Sequence, residues 1–215
     1  MKRKIIEWWK NCGLFKLIDK LVSKHFQRKL KNDNFTILCS NCVGGTLYHR
    51  LGKEFMSPTI NLFMTNTDFV DFCVHMDYYL AQRLCFVDSN KPHPVAALCG
   101  NGTDIPTITI YFNHDRKNEE AENKWERRKK RINRDNMYIM LYNLDGITVD
   151  KLKELENVNC KNKVVLTAKP LPEIAWSYCI EPNIKAQYPN SYLGKNIFGL
   201  RHIERAFDFV GFLNS

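Results

Sequence analysis

No apolar stretch in the chain approaches the roughly 20 residues that a membrane-spanning helix requires, so no such helix is expected. No secretory leader is expected either, since Met1-Lys2-Arg3-Lys4 is followed by an apolar region broken by Glu7, Lys10 and Asn11, and the default expectation is a cytoplasmic address. Cysteine is not scarce, but it lacks the spacing of a metal site. The eight cysteines stand at 12, 39, 42, 73, 85, 99, 160 and 179, and only Cys39 and Cys42 are close, with no second ligand pair to complete zinc coordination. Several of the others sit inside apolar strand-like or helix-like segments, as free thiols in a reduced compartment do, so neither a disulfide framework nor a metal is expected. No helix-turn-helix, zinc finger or nucleic-acid-binding aromatic motif is present, which sets aside sequence-specific nucleic-acid binding. Nothing in the chain calls for a cofactor.

What the chain does have is length for one well-cored domain and a surplus of positive charge. At 215 residues, 44% hydrophobic and 26% charged, it has the composition of an ordinary globule. Its net charge of +9 implies an anionic partner: a nucleic acid, a phosphorylated small molecule or an acidic membrane face. The cations gather in two places, the N-terminal segment and residues 116–134. Residues 1–32 read as a basic amphipathic helical segment broken near Gly13, with Trp8 and Trp9 on its apolar side. Such a segment suits peripheral contact of residues 1–30 with the inner face of a membrane, or equally a helix packed on the domain with a solvated basic face.

Residues 33–215 alternate strand-like and helix-like segments with short connections. The expected fold is therefore a single three-layer-like α/β domain, with a mostly parallel, partly mixed sheet flanked by helices. Strands are expected at 35–38, 59–64, 84–87, 95–99, 107–112, 137–142, 163–167 and 207–212. Helices are expected at 42–51, closed by Gly52, at 66–83, 118–133 and 149–155, and near 202–205. Residues 168–200 read as loop-rich.

The most chemically suggestive stretch is Cys39-Ser40-Asn41-Cys42-Val43-Gly44-Gly45, where a buried strand turns into a helix. Ser40 or Asn41 can cap that helix, so Cys42 lies in its first turn, where unpaired N–H groups and the positive end of the helix dipole favour a thiolate. Ligands in α/β sheets gather beyond the carboxyl ends of strands, which makes Cys42 and His114 candidate neighbours: a nucleophile with its base. Asp115 or Asn113 could orient His114, and His49 competes with it as base. Gly44 and Gly45 suit close approach of an anion to the helix start. The alternatives are a C-x-x-C redox pair formed by Cys39 and Cys42, and a Cys42 that is simply a buried helix-start residue.

In the helix at 118–133, early acids and late cations follow the helix dipole, and most of its charge needs only solvent. Arg128 is the exception, because it falls on the core-facing stripe with Ala121, Trp125 and Ile132, while Lys124 and Arg131 flank that stripe. An inward arginine must meet a carboxylate, such as Asp115 or Asp135, or an anionic ligand.

Three ordered motifs carry a family likeness. They are Ile37-Leu-Cys-Ser-Asn-Cys42-Val-Gly-Gly45-x-x-Tyr48-x-x-Leu51-Gly52, then Ser57-Pro58-Thr-Ile-Asn-Leu-Phe63-Met64, and Asn118-Glu-Glu-Ala121-x-x-Lys124-Trp125-x-Arg127-Arg128-x-x-Arg131-Ile132-Asn133-x-Asp135-Asn136. With them the chain resembles the bacterial DUF1919 family, whose members are often labelled exopolysaccharide or capsule biosynthesis proteins. The resemblance runs from about residue 35 to the C-terminal end. It implies an α/β domain and a role near cell-surface polysaccharide assembly. Together with the residues read above, the expectation is a transferase acting on an activated or phosphorylated sugar or acyl donor, with Cys42 and His114 catalytic and Asn41, Gly44, Gly45, Lys124, Arg127, Arg128 and Arg131 binding the ligand. The family pattern usually has Ser in place of Cys39, which makes the C-x-x-C incidental. The other function class is a non-catalytic module that binds an anionic glycan precursor or recruits assembly enzymes.

Overall fold

The computed structural model describes residues 12–142, 146–180, 195–196 and 198–215. In chain order its elements are α1 (Gly13–Lys29), β1 (Thr36–Cys39), α2 (Val43–Leu51), α3 (Asn66–Val74), α4 (Met76–Ala81), β2 (Cys85–Phe86), β3 (Val95–Leu98), β4 (Ile108–Tyr111) and α5 (Asn118–Lys129). There follow β5 (Met137–Tyr142), α6 (Val149–Lys153) with a 3-10 turn at Glu154–Asn157, β6 (Asn162–Thr167), β7 (Ser177–Cys179), α7 (His202–Ala206) and α8 (Phe209–Asn214). Strands β1, β5, β6 and β7 form a parallel sheet in that order, and β2, β3 and β4 form a separate antiparallel sheet. The expected α/β architecture is present, with the antiparallel strands gathered into a sheet of their own.

The parallel sheet is buried on both faces, which its side-chain alternation makes plain. Ile37, Cys39, Tyr138 and Met140 point into one core with α2, α7 and α8, whereas Leu38, Met137, Ile139 and Leu141 point into the other with α3, α4, α5, α6 and the antiparallel sheet. Three layers result. The largest fully buried side chain is Trp125, on the α5 stripe expected to face the core.

β1 is an edge strand, and its outward amides are satisfied by side chains rather than by another strand. The Ile37 N–H donates to Tyr48 Oη, 3.0 Å away, and that hydroxyl donates to the Phe35 carbonyl, also at 3.0 Å. The Cys39 N–H donates to Thr59 Oγ1 at 3.0 Å. A buried edge must find partners for its backbone, and here Tyr48 and the segment at 57–64 provide them.

That segment is where the sequence reading needs correction. Residues 59–64 were expected to form a strand, but residues 58–61 turn, Asn61 takes a left-handed φ of 61°, and pairing survives only as a bridge between Phe63 and Tyr111. The hydroxyls of Ser57 and Thr59, 3.1 Å apart, take over the local bonding. The helix expected at 66–83 breaks at His75, whose φ of −110° and ψ of 33° leave helical space, so α3 and α4 are separate. The basic helix ends at Lys129 rather than at 133. The closing strand expected at 207–212 is helix α8, because Asp208 caps it through the Gly211 N–H at 3.0 Å and Phe209, Val210 and Leu213 are buried at helical spacing.

Helix α1 is joined to this body by Arg50, a residue the sequence reading passed over. The Arg50 guanidinium is buried and grips Glu204 of α7 with two bonds, Nε to Oε1 at 2.7 Å and Nη2 to Oε2 at 2.9 Å. It also donates to Asp19 Oδ1 and Ser23 Oγ of α1, each at 2.9 Å, and to the Gly199 carbonyl at 2.6 Å. One planar fork thus ties α1, α2 and α7 together. Farther along α1, the Phe26 ring lies 4.9 Å from that of Phe209 in α8. The expected helical set at residues 2–11, with Trp8 and Trp9, lies outside the described residues.

Candidate functional site

Cys42 and His114 come from different sheets and meet. β1 ends at Cys39, and Cys42 precedes α2 in a helical conformation with φ −69° and ψ −5°. β4 ends at Tyr111, and the chain turns with the Asp115 N–H donating to the Phe112 carbonyl at 2.9 Å, leaving His114 exposed. Cys42 Sγ and His114 Nε2 are 3.1 Å apart. What holds them there is the turn at residues 58–61 and the segment after it. Met64 N–H donates to the Ser40 carbonyl at 3.0 Å, while Phe63 and Tyr111 exchange two backbone bonds of 2.9 Å. Adjacent residues therefore clamp the chain two positions before Cys42 and three positions before His114.

The electrostatics differ from expectation. Burial pushes the Cys42 thiol above its ordinary pKa, which works against a pre-formed thiolate. The first amide of α2 is engaged elsewhere. Asn41 Oδ1 accepts the Val43 N–H at 3.0 Å. Burial raises the Cys39 thiol to about 11, outweighing the lowering effect of the nearby backbone N–H groups of Asn41, Gly44 and Ser40. Cys39 is wholly buried against the sheet, so the two cysteines of the C-x-x-C occupy opposite environments.

The other candidates separate clearly. Asp115 does not orient His114, because its carboxylate is taken by Lys124 Nζ, which also binds Glu120 at 2.8 Å. Among the described residues none hydrogen-bonds His114 Nδ1. His49 packs edge-on against Phe55 with ring centres 5.0 Å apart and makes no hydrogen bond to Cys42. Asn41 serves the helix start, as above, and reaches the Tyr142 carbonyl at 3.5 Å.

Gly44 and Gly45 were expected to admit an anion, but the space above them is filled by protein. A Cβ at Gly45 would lie 2.4 Å from Asn61 Oδ1, and one at Gly44 would lie 3.1 Å from Cys39 Cβ and 3.2 Å from Ile60 Cδ1. The glycines let residues 60 and 61 pack on α2, which is the contact that places the clamp. Asn61 itself was missed; the Asn between two apolar residues, opposite a Gly-Gly pair, was the available signal.

The four cations expected to bind ligand, Lys124, Arg127, Arg128 and Arg131, do not act as one group. Lys124 is neutralised as described. Arg131 pairs with Glu54 at 2.7 Å and donates to the Phe55 carbonyl at 3.3 Å. Arg127 is exposed. Arg128 is buried, donates to the Ile60 carbonyl at 2.8 Å and lies over the Phe55 ring at 5.2 Å, yet among the described residues it has no carboxylate partner. Burial lowers its pKa from the ordinary arginine value, with Asp115 opposing through space. A buried guanidinium with most of its donors uncommitted is the cation best suited to an incoming anion. Beside the His114 turn, Arg116 and Asn118 form one wall of a polar cavity of about 450 Å³ whose other wall includes Lys91 and His93.

With this geometry in view, comparison with known proteins places the chain. Residues 14–214 match the family described as Domain of unknown function (DUF1919). The chain belongs to the DUF1919 family. The match takes in α1, farther toward the N-terminus than the three sequence motifs reached. A Haemophilus influenzae relative, itself described only as an uncharacterized protein, is 35% identical over 160 residues, which cover 74% of each chain. Among the described residues, no group of three or more His, Cys, Asp or Glu side chains could hold a metal ion.

Proposed function

We propose that this DUF1919 chain is a thiol-dependent transferase that moves an acyl or glycosyl group from an activated or phosphorylated donor to a polysaccharide precursor. The observation that carries the reading is the 3.1 Å contact between Cys42 Sγ and His114 Nε2, formed by residues from two sheets. A raised thiol pKa makes general-base assistance necessary, and His114 is placed to give it.

For an acyl donor the cycle balances as follows. As Cys42 sulfur bonds to the donor carbonyl carbon, its proton passes to His114 Nε2, and the bond to the leaving group breaks with that proton delivered to it. An acceptor hydroxyl then attacks the thioester and gives its proton to His114. The released sulfur takes the proton back. Arg128 would hold the anionic part of the donor. The polysaccharide setting and an address at the inner face of the membrane come from the family likeness and the basic charge, not from the geometry of the pair.

A binding or scaffolding role is the second reading, favoured by the raised Cys42 pKa and by the lack of a described group on His114 Nδ1. Cys42→Ser and His114→Gln in cells that make the polysaccharide separate the two. Loss of product in both, with folded protein, supports the transferase. Unchanged product in Cys42→Ser removes the nucleophile and leaves the binding role.

A further inference from the structure

Helix α1 shows solvent a face that a packed surface helix ordinarily hides. Leu14, Leu17 and Leu21 are 52, 53 and 57% exposed, and at 100° per residue they fall within an arc of about 60°. The helix is not free to roll them inward. Its opposite side is fixed by buried Phe15, by Asp19 and Ser23 bound to Arg50, and by Phe26 against Phe209.

Charge decides what covers this face. Lys16, Lys20, Lys24, Arg28 and Lys29 are all exposed, and Lys24 and Arg28 continue the arc of the leucines toward the end of the helix. The one acid of α1, Asp19, is turned inward onto Arg50 and Lys195. A second copy docked here would bring two sets of cations together with no carboxylate between them. An anionic lipid surface answers both halves of the face, since leucines enter the acyl boundary while lysine and arginine stems reach up to the phosphates. No described helix is long and apolar enough to cross a membrane, so contact would be in the plane of the interface.

We propose that the Leu14, Leu17 and Leu21 face of α1, with Lys20, Lys24 and Arg28 beside it, is a docking surface for an anionic bilayer. The proposal is independent of the chemistry at Cys42. Removing residues 1–30 would not test it cleanly, because Asp19 and Phe26 are part of the fold. The experiment uses the full chain, co-sedimented with phosphatidylcholine vesicles with and without a third of phosphatidylglycerol. One variant is Leu14→Gln, Leu17→Gln, Leu21→Gln; the other is Lys20→Gln, Lys24→Gln, Arg28→Gln. Glutamine keeps helix propensity, and circular dichroism checks that both variants fold.

Wild type is expected to partition onto the mixed vesicles, with each variant reducing that partitioning by at least about tenfold and the charge variant losing its dependence on phosphatidylglycerol. Three results would overturn the proposal. The leucine variant could bind as wild type does, which would reduce the effect to adsorption of charge. Wild type could bind no vesicles. Wild type could fail to bind vesicles yet sediment as a dimer that the leucine variant dissociates, which would make the face a contact between copies.

Discussion

Replacing Arg50 with methionine is the sharpest test of how this chain is held together. The side chain is almost wholly buried, as is that of Glu204, so the change leaves a carboxylate in a dry site. Breaking a buried pair in this way costs about 3–5 kcal/mol, because the surviving charge keeps its desolvation penalty without its counterion. Two features reduce that figure. Arg201 still donates to Glu204 through Nη1 at 3.1 Å and through its backbone N–H at 2.7 Å. Asp19 is partly exposed and retains Lys195 at 2.6 Å, so its share is that of a surface pair, about 0.5 kcal/mol. A net loss of about 3 kcal/mol is expected, which at a urea m-value of about 2 kcal/mol per molar lowers the unfolding midpoint by about 1.5 M. Adding Glu204→Gln to the variant removes the stranded charge and keeps the cap on α7, so about half of the loss should return. Urea titration followed by fluorescence reads both. A loss under about 1 kcal/mol in the single variant, or a further loss on adding Glu204→Gln, would refute the account of a buried charge held by its partner.

Other outcomes follow from the same geometry. Site-resolved alkylation should find Cys42 slow at neutral pH, with a reaction midpoint above that of a free thiol, because burial raises its pKa; Cys99, which is exposed, should react before it. A midpoint below about 7 would show a thiolate already formed and reverse the picture of a general-base pair. Gly45→Ala drives a methyl into Asn61 Oδ1 and Ile60 Cγ2, and should cost about 2 kcal/mol, seen as a fall of roughly 5 °C in melting temperature. An unchanged melting temperature would show that the turn at 58–61 moves aside freely. Burial alone would raise the Asp19 pKa, but hydrogen bonds from Lys195 and Arg50 bring it below the ordinary value. Its contribution is therefore complete above the unfolded value near 4 and is lost as pH falls through the lower folded one, so Asp19→Asn should destabilise at pH 7 and converge with wild type in acid.

The elements read well from sequence wherever one period governed them. β5 is apolar and buried throughout, α2 runs from a polar turn to Gly52 at φ 64°, and Trp125 sits on the expected stripe. The failures share a physical cause: apolar spacing does not say where a backbone finds its hydrogen bonds. Residues 59–64 are apolar enough for a strand, yet Thr59 and Ser57 hydroxyls and the left-handed Asn61 make a turn of them. Residues 207–212 alternate well enough for a strand, yet the Asp208 cap turns them into α8. The same limit governed the site. Strand ends suggested that Cys42 and His114 could be neighbours, and the structure sets them 3.1 Å apart, but the bridge from Ser40 through Met64 and Phe63 to Tyr111 that holds them depends on a turn no periodicity marks. Nor could the chain alone show that burial raises both thiols, since a helix start by itself favours a thiolate and only the packed structure shows how far each sulfur is removed from water. Ile60 and Asn61 pack over Gly44 and Gly45, two residues with no side chain, so the glycines serve the site by seating the turn that leads into the clamp, not through a ligand of their own.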